Sequence, residues 1–194
     1  MRLAPYDELE IIQAQVELIL ADPSKTVRQQ RDEISDLFLE LLIASYLFGI
    51  QDACELLGLD PMEPDQAAMQ STIYHEIDGK TFADRVADHI PEDGNPQIGM
   101  LRNLAEAEIT RCYNFGGIWA AEQAQEQNGN RVVKRWNTMG DEKVRETHVF
   151  IDQVEVLLDE AFFTFDGDSA MAPGGFTLAE NNVGCRCWLT YSWL

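Results

Sequence analysis

Residues 21–58 read ADPSKTVRQQRDEISDLFLELLIASYLFGIQDACELLG, and this stretch limits the folds open to the chain more than any other. Asp22 suits an N-cap with Pro23 at the first helical position, and Gly58 ahead of Asp60 and Pro61 gives a stop, so the spacing predicts one long helix. From Leu37 to Ile50 that helix is apolar almost all round. The run is shorter than the roughly 18 residues a bilayer span needs. Asp36, Glu40 and Asp52 also fall in or beside it. A helix that is apolar on every side must be covered on every side. It is therefore expected to be a central core helix or one buried against another subunit, with Leu37, Leu41, Leu42 and Tyr46 as the residues that meet a partner.

The rest of the first 130 residues also reads as helix, about four helices in all. PMEPDQAAM places acids and Pro64 at the start of a helix running to about Tyr74. In IDGKTFADRVADHI, Gly79 interrupts, then Phe82, Val86 and Ile90 recur at helical spacing. After the loop PEDGNPQIG, Asn95 and Pro96 restart a helix whose apolar face carries Ile98, Leu101, Ala105, Ile109, Cys112, Trp119 and Gln123, with Arg102 and Glu106 paired outside. Gly116 and Gly117 in its middle mark either a kink or a close approach of another backbone.

At residue 128 the periodicity changes. RVVKRWNTM favours a strand, DEKVRETHVFI a short capped helix or turn, and VEVLL, FFTF and CRCWLTYSWL short strands between Gly, Pro and Asp turns. The expected fold is α+β: a helical region over 1–130 and a small lobe with short antiparallel strands over 131–194. A lobe of that size draws its stability from Val133, Trp136, Val156, Leu158, Phe162, Phe163, Phe165, Trp188 and Tyr191, and from the helices behind it or a metal. DGD at 166–168 and APGGF at 172–176 read as turns, because the first lacks calcium-loop spacing and the second lacks a following lysine and helix.

Acids outnumber bases 34 to 14, for a net charge of -20. Of these, 24 acids and 8 bases lie in residues 1–130. Such a field repels nucleic-acid phosphates and favours solubility or basic protein partners. DNA contact is therefore not favoured, and the cluster Arg131, Lys134 and Arg135 is expected to be a solvated strand edge. The chain opens with no basic-then-apolar signal pattern, so a cytoplasmic start with reduced thiols is expected.

Cys185 and Cys187 flank Arg186. In an extended chain residues i and i+2 share a face, so the two sulfurs project together while Arg186 points away. A disulfide between them would close a strained ring, whereas a shared metal would not. Zinc takes about four soft or borderline ligands, and the same lobe offers His148 and Asp141. Asp141, His148, Cys185 and Cys187 therefore form a candidate zinc set. The alternative is a pair of buried thiols beside a core histidine. His75 and His89 lie in the helical part and read as surface or packing residues.

RWNTMGDEKVRETHVFIDQ, VLLDEAFFTFDGDSAMAPGGF and CRCW together resemble the C-terminal domain of the phage head morphogenesis family, minor capsid proteins similar to phage Mu protein F. The matching positions are Trp136, Thr138, Asp141, Arg145, His148, Asp159, Glu160, Phe162, Pro173, Gly174, Cys185, Arg186 and Cys187. Gln153 and Gly184 depart from the pattern, where the family has glycine and asparagine. The preceding helix resembles the family's as well, with Glu108, Arg111 and Asn114 in place, while the first 75 residues match only by helical character. The resemblance implies a virion or procapsid component associated with portal and capsid or scaffold proteins, assembled in the host cytoplasm and carried in the head interior. It implies no membrane association and is compatible with a homo-oligomer. It also strengthens the case for zinc or a tight polar cluster at the four residues above. Arg145 and Arg186 would alternatively pair with Asp141 or Glu108 as buried polar staples. The competing function is enzymatic: a metal-dependent nuclease or transferase-like effector domain using His148 and Asp141.

Overall fold

The computed structural model describes residues 4–194, with side chains from Leu9 onward. Five helices precede the sheet: α1 (Ala4–Ala21), α2 (Val27–Leu57), α3 (Gln66–Ile73), α4 (Phe82–Asp88) and α5 (Ile98–Asn128). Then come β1 (Val132–Asn137), α6 (Glu146–Phe150), β2 (Glu155–Leu157), β3 (Phe162–Phe163), β4 (Ser169–Ala170), α7 (Ala179–Asn182) and β5 (Trp188–Trp193). The class is α+β, as the sequence indicates, with one more helix ahead of the sheet than expected.

The long apolar helix begins four residues later than Pro23 would place it. Thr26 is its N-cap and forms a capping box with Gln29. Asp22 instead closes the turn that ends α1, accepting from the Ser24 amide at 2.9 Å and from the Ser24 hydroxyl at 2.7 Å. The stop is where the sequence puts it, at Gly58 with φ +68°. By length and composition α2 would suffice to cross a membrane, but in this fold half of that apolar stretch is buried inside the chain, while Leu47 and Leu56 stay exposed. Leu41, Leu42 and Tyr46 are at most 2% exposed, and Leu37 is half-buried against the same core. Leu41, Leu42 and Tyr46 are thus spent on the chain's own core, with α5 on one side of α2 and α1, α3 and α4 around it, while Leu37 keeps part of its surface.

The α2–α5 crossing is the largest interface between elements. It is close because glycines face backbone on both helices. A Cβ on Gly49 would lie 1.9 Å from the Tyr113 carbonyl oxygen, and one on Gly116 would lie 2.1 Å from that of Tyr46. The glycine pair in α5 thus marks an approach and not a break, since the helix runs unbroken for 31 residues. Gly117 meets the other neighbour: a Cβ there would sit 2.7 Å from the hydroxyl of Tyr191 on β5. Around this seam, α1 contributes Leu9, Ile12 and Val16, and α4 contributes Phe82 edge-on to Phe38 at 6.1 Å. Each large apolar side chain buried this completely contributes about 1.5–3 kcal/mol.

The three-stranded sheet has the order β2-β1-β5, all antiparallel, with Trp136 opposite Leu189 and Lys134 opposite Tyr191. β3 and β4 form a separate hairpin. Because β1 is the middle strand, Lys134 is not solvated, whereas Arg131 just before the strand and Arg135 on it are exposed as expected. Lys134 is fully buried, donates to the Met171 carbonyl at 2.9 Å and lies over the Phe162 ring. Arg135 pairs with Glu155, and Arg131 lies 3.7 Å from Asp159, so no basic stripe is left there. Helices and lobe share one continuous core, and the Trp193 indole donates to the Leu57 carbonyl at 3.0 Å.

Candidate metal centre and the polar seam beneath it

His148 is placed by α6, whose last turn turns the imidazole inward against Trp136 and Phe176. The His148 ring stacks on Phe176 at 5.2 Å and meets Trp136 edge-on at 5.3 Å. The CRC segment immediately precedes β5 and is pinned from behind by α5. Thr110 donates to the Cys185 carbonyl at 2.9 Å, Asn114 donates to the Cys187 carbonyl at 3.3 Å, and the Asn114 side-chain oxygen accepts the Leu189 amide at 2.9 Å. Thus the extended CRC segment presents both sulfurs to one side, as its spacing predicts.

The sulfurs of Cys185 and Cys187 lie 3.6 Å and 3.3 Å from His148 Nδ1, and all three residues are buried. Cys187 donates to Cys185, and with His148 alongside this pulls the Cys185 thiol well below the usual range against the opposing effect of burial. The same pairing and burial push Cys187 up. Two donors bound tetrahedrally to zinc at about 2.3 and 2.0 Å sit about 3.5 Å apart, which is the separation found here. Among the described residues His148 Nε2 is buried without a hydrogen-bond partner, and the buried Trp136 indole faces Cys187. The donor set could hold a metal ion, which the sulfurs of Cys185 and Cys187 and the imidazole of His148 would ligate, and its chemistry suits zinc.

Asp141 stands apart. Its two carboxylate oxygens accept from Arg186 at 2.7 and 2.9 Å, and chiefly for that reason its carboxyl sits below the ordinary range. Of the four candidate ligands the fold thus assembles three. The Arg186–Asp141 staple exists but is substantially exposed. Arg145 pairs with neither acid and instead donates to the carbonyls of Glu180 and Val183, fastening α6 to the segment before the cysteines. His75 is exposed, and His89 contacts Gln97 at 3.2 Å, away from the cluster.

Glu108 and Arg111 form a buried pair at 2.7 Å, and a third member was not legible: Arg85 from α4 meets the other Glu108 oxygen at 2.8 Å. Burial opposes the Glu108 charge, but the two guanidiniums hold its carboxyl below the usual range. Arg85 sits over Phe82 at i+3, and that helical spacing was the available signal. Asp168, in the DGD turn, is also a structural hub. It accepts the amides of Ser169, Thr177 and Leu178 and the Asn181 side chain, which pins the PGGF loop.

Residues 68–190 match the family described as Phage Mu protein F like protein. The chain is 33% identical over 111 residues to the NAD(+)--arginine ADP-ribosyltransferase EFV of Enterococcus faecalis (strain ATCC 700802 / V583), covering 57% of this chain and 22% of that protein. It is 28% identical over 107 residues to Minor head protein GP7 of Bacillus phage SPP1, covering 55% of this chain and 34% of that one. The aligned segment thus spans at most about a third of these curated relatives. No solved structure matches. The matched segment begins inside α3, well ahead of residue 131, and so takes in α5 together with the lobe that α5 pins. With the helix, the CRC segment and the His148 cluster all inside that match, the chain belongs to the Phage Mu protein F like family.

Proposed function

We propose that this protein is a minor head protein of a bacteriophage or prophage, built into the procapsid beside the portal, where it assists head assembly, genome packaging or delivery. The observation that carries this reading is the family match from α3 into β5, supported by a relative named as a minor head protein. On this reading its partners are portal and capsid or scaffold proteins, and its final place is the head interior after assembly in the host cytoplasm. The similarity to a transferase covers 22% of that protein and does not carry its activity to this chain, since function rests on a site and not on a shared segment. The acidity of the chain and the burial of Lys134 argue against DNA as the main ligand.

The same reading gives His148, Cys185 and Cys187 a zinc ion with a structural role. Bound there, zinc would supply a cross-link between α6 and the entry to β5. Deleting the protein from its phage and analysing purified heads by mass spectrometry and electron microscopy tests the function. Loss of the protein from heads together with aborted or empty heads is expected. Heads of normal yield, DNA content and infectivity would refute it. For zinc, elemental analysis should find about one ion per chain, lost in a Cys185→Ser, Cys187→Ser variant.

A further inference from the structure

We infer that this centre offers three protein ligands and keeps its fourth coordination position for a single anionic donor from outside the chain. The inference rests on the zinc reading above. Among the described residues, the donor group contains His148, Cys185 and Cys187 and no fourth His, Cys, Asp or Glu. The nearest sequence candidate, Asp141, has both oxygens engaged by Arg186. A cavity of about 10 Å³, room for the ion itself, is lined by all three residues, and Met139, Lys143 and Gly184 on its rim are exposed, so an ion seated there faces solvent on its open side. Its other walls are Met139, Lys143, Val144, Arg145, Gly184 and Arg186. The thioether of Met139 is a poor donor to zinc beside imidazole, thiolate or carboxylate.

The electrostatics of that cavity select the ligand class. Zinc with two thiolates is neutral, so an added anion needs a cation nearby. Arg145 supplies one: its guanidinium is spent on two carbonyl oxygens, and among the described residues no carboxylate forms an ion pair with it. Lys143 lines the same cavity. A monodentate donor suits the solvent side of such an ion: hydroxide from water, or a carboxylate presented by another protein. A centre with an exchangeable position is a docking point as well as a staple, because a partner carboxylate could complete it.

The test uses the full chain loaded with one cobalt(II) ion, which reports its coordination by visible absorption, with azide and acetate as probes of the fourth position. Expected are thiolate-to-cobalt charge-transfer bands and a saturable shift of the d–d bands on adding either anion, unchanged in Asp141→Asn. A pH-dependent shift without added anion identifies water as the resident ligand, which also supports an open position. Bands insensitive to both anions in the wild type but sensitive in Asp141→Asn would make Asp141 the fourth ligand and overturn the inference. Insensitivity in both proteins would show a site closed by another side chain and overturn it equally. Failure to take up cobalt or zinc at all would remove the zinc reading underneath.

Discussion

Adding one methyl group to Gly116 should be among the most costly small changes available to this chain. Its Cβ would fall 2.1 Å from the Tyr46 carbonyl oxygen, where a carbon–oxygen contact needs about 3.3 Å. The clash is with backbone, so no rotamer relieves it, and α2 and α5 must part by about 1 Å. A gap of that size forfeits roughly a quarter to a half of the dispersion attraction across the seam. Overpacking of this kind costs about 1–3 kcal/mol, and the backbone clash puts it at the upper end. Alanine's better helix propensity returns about 0.8–1 kcal/mol. The net expectation is a loss of about 2 kcal/mol, or about 4–8 °C in Tm for a chain of this length. Gly49→Ala should behave alike, with a Cβ 1.9 Å from the Tyr113 oxygen. One parting of the helices accommodates both methyl groups, so the double variant should cost less than the sum of the singles. Gly99→Ala is the control: it lies in the same helix with nothing within 4 Å of the new methyl, and should gain about 0.5 kcal/mol. Urea unfolding followed by circular dichroism reads all four. A Gly116→Ala protein as stable as the wild type, with an unchanged m-value, would refute the close crossing.

Three further substitutions probe the polar interior. Glu108→Gln leaves Arg85 and Arg111 buried without a counter-charge and should cost about 3–5 kcal/mol at neutral pH. Because the folded-state pKa of Glu108 is depressed, its contribution is present above the unfolded carboxyl pKa and fades as pH falls through the folded value. The gap between wild type and variant in acid titrations of stability should therefore narrow at low pH. Burial pulls the Lys134 ammonium down to about 8, so between pH 8 and the ordinary lysine pKa the unfolded chain holds a proton that the fold has released. Stability from this group accordingly rises with pH in that window. Lys134→Met should gain about 1 kcal/mol at pH 7 and flatten the rise, as thermal melts at pH 7 and 9.5 would show. Asn114→Ala removes the clamp on Leu189 and Cys187 and should cost about 1–3 kcal/mol, with faster hydrogen exchange at β5 than in α2.

What the sequence discloses here is mostly local. Gly58 stops α2 because only a residue tolerant of φ +68° ends the helix that way, and of the two readings of Gly116 and Gly117, a kink or a close approach, the structure selects the approach. The two sulfurs and His148 converge because an extended CRC segment sets the first two on one side. Other features depend on three-dimensional competition. Asp22 loses the N-cap because Thr26 and Gln29 satisfy each other, a pairing written in the sequence but outweighed there by Pro23. Lys134 looks solvated until its strand is known to be the middle one. Leu41, Leu42 and Tyr46 look like a partner's footprint until α5 is known to fill that place. Asp141 counts as a ligand by proximity in sequence, and Arg186 takes it by geometry.

From Glu108 to Ile118, ten of eleven consecutive positions in α5 are buried, which a helix packed on one side cannot show. Two unrelated neighbours press on it: α2 on one flank, and the CRC segment with β5 on the other. Evolution is therefore denied the usual relief of a helix, in which an outward position varies freely while an inward one is kept. Substitutions that suit one neighbour are constrained by the other, so tolerated change in this stretch should require paired replacements across two interfaces, and divergence should accumulate instead at the outer ends of α5 and in the loops.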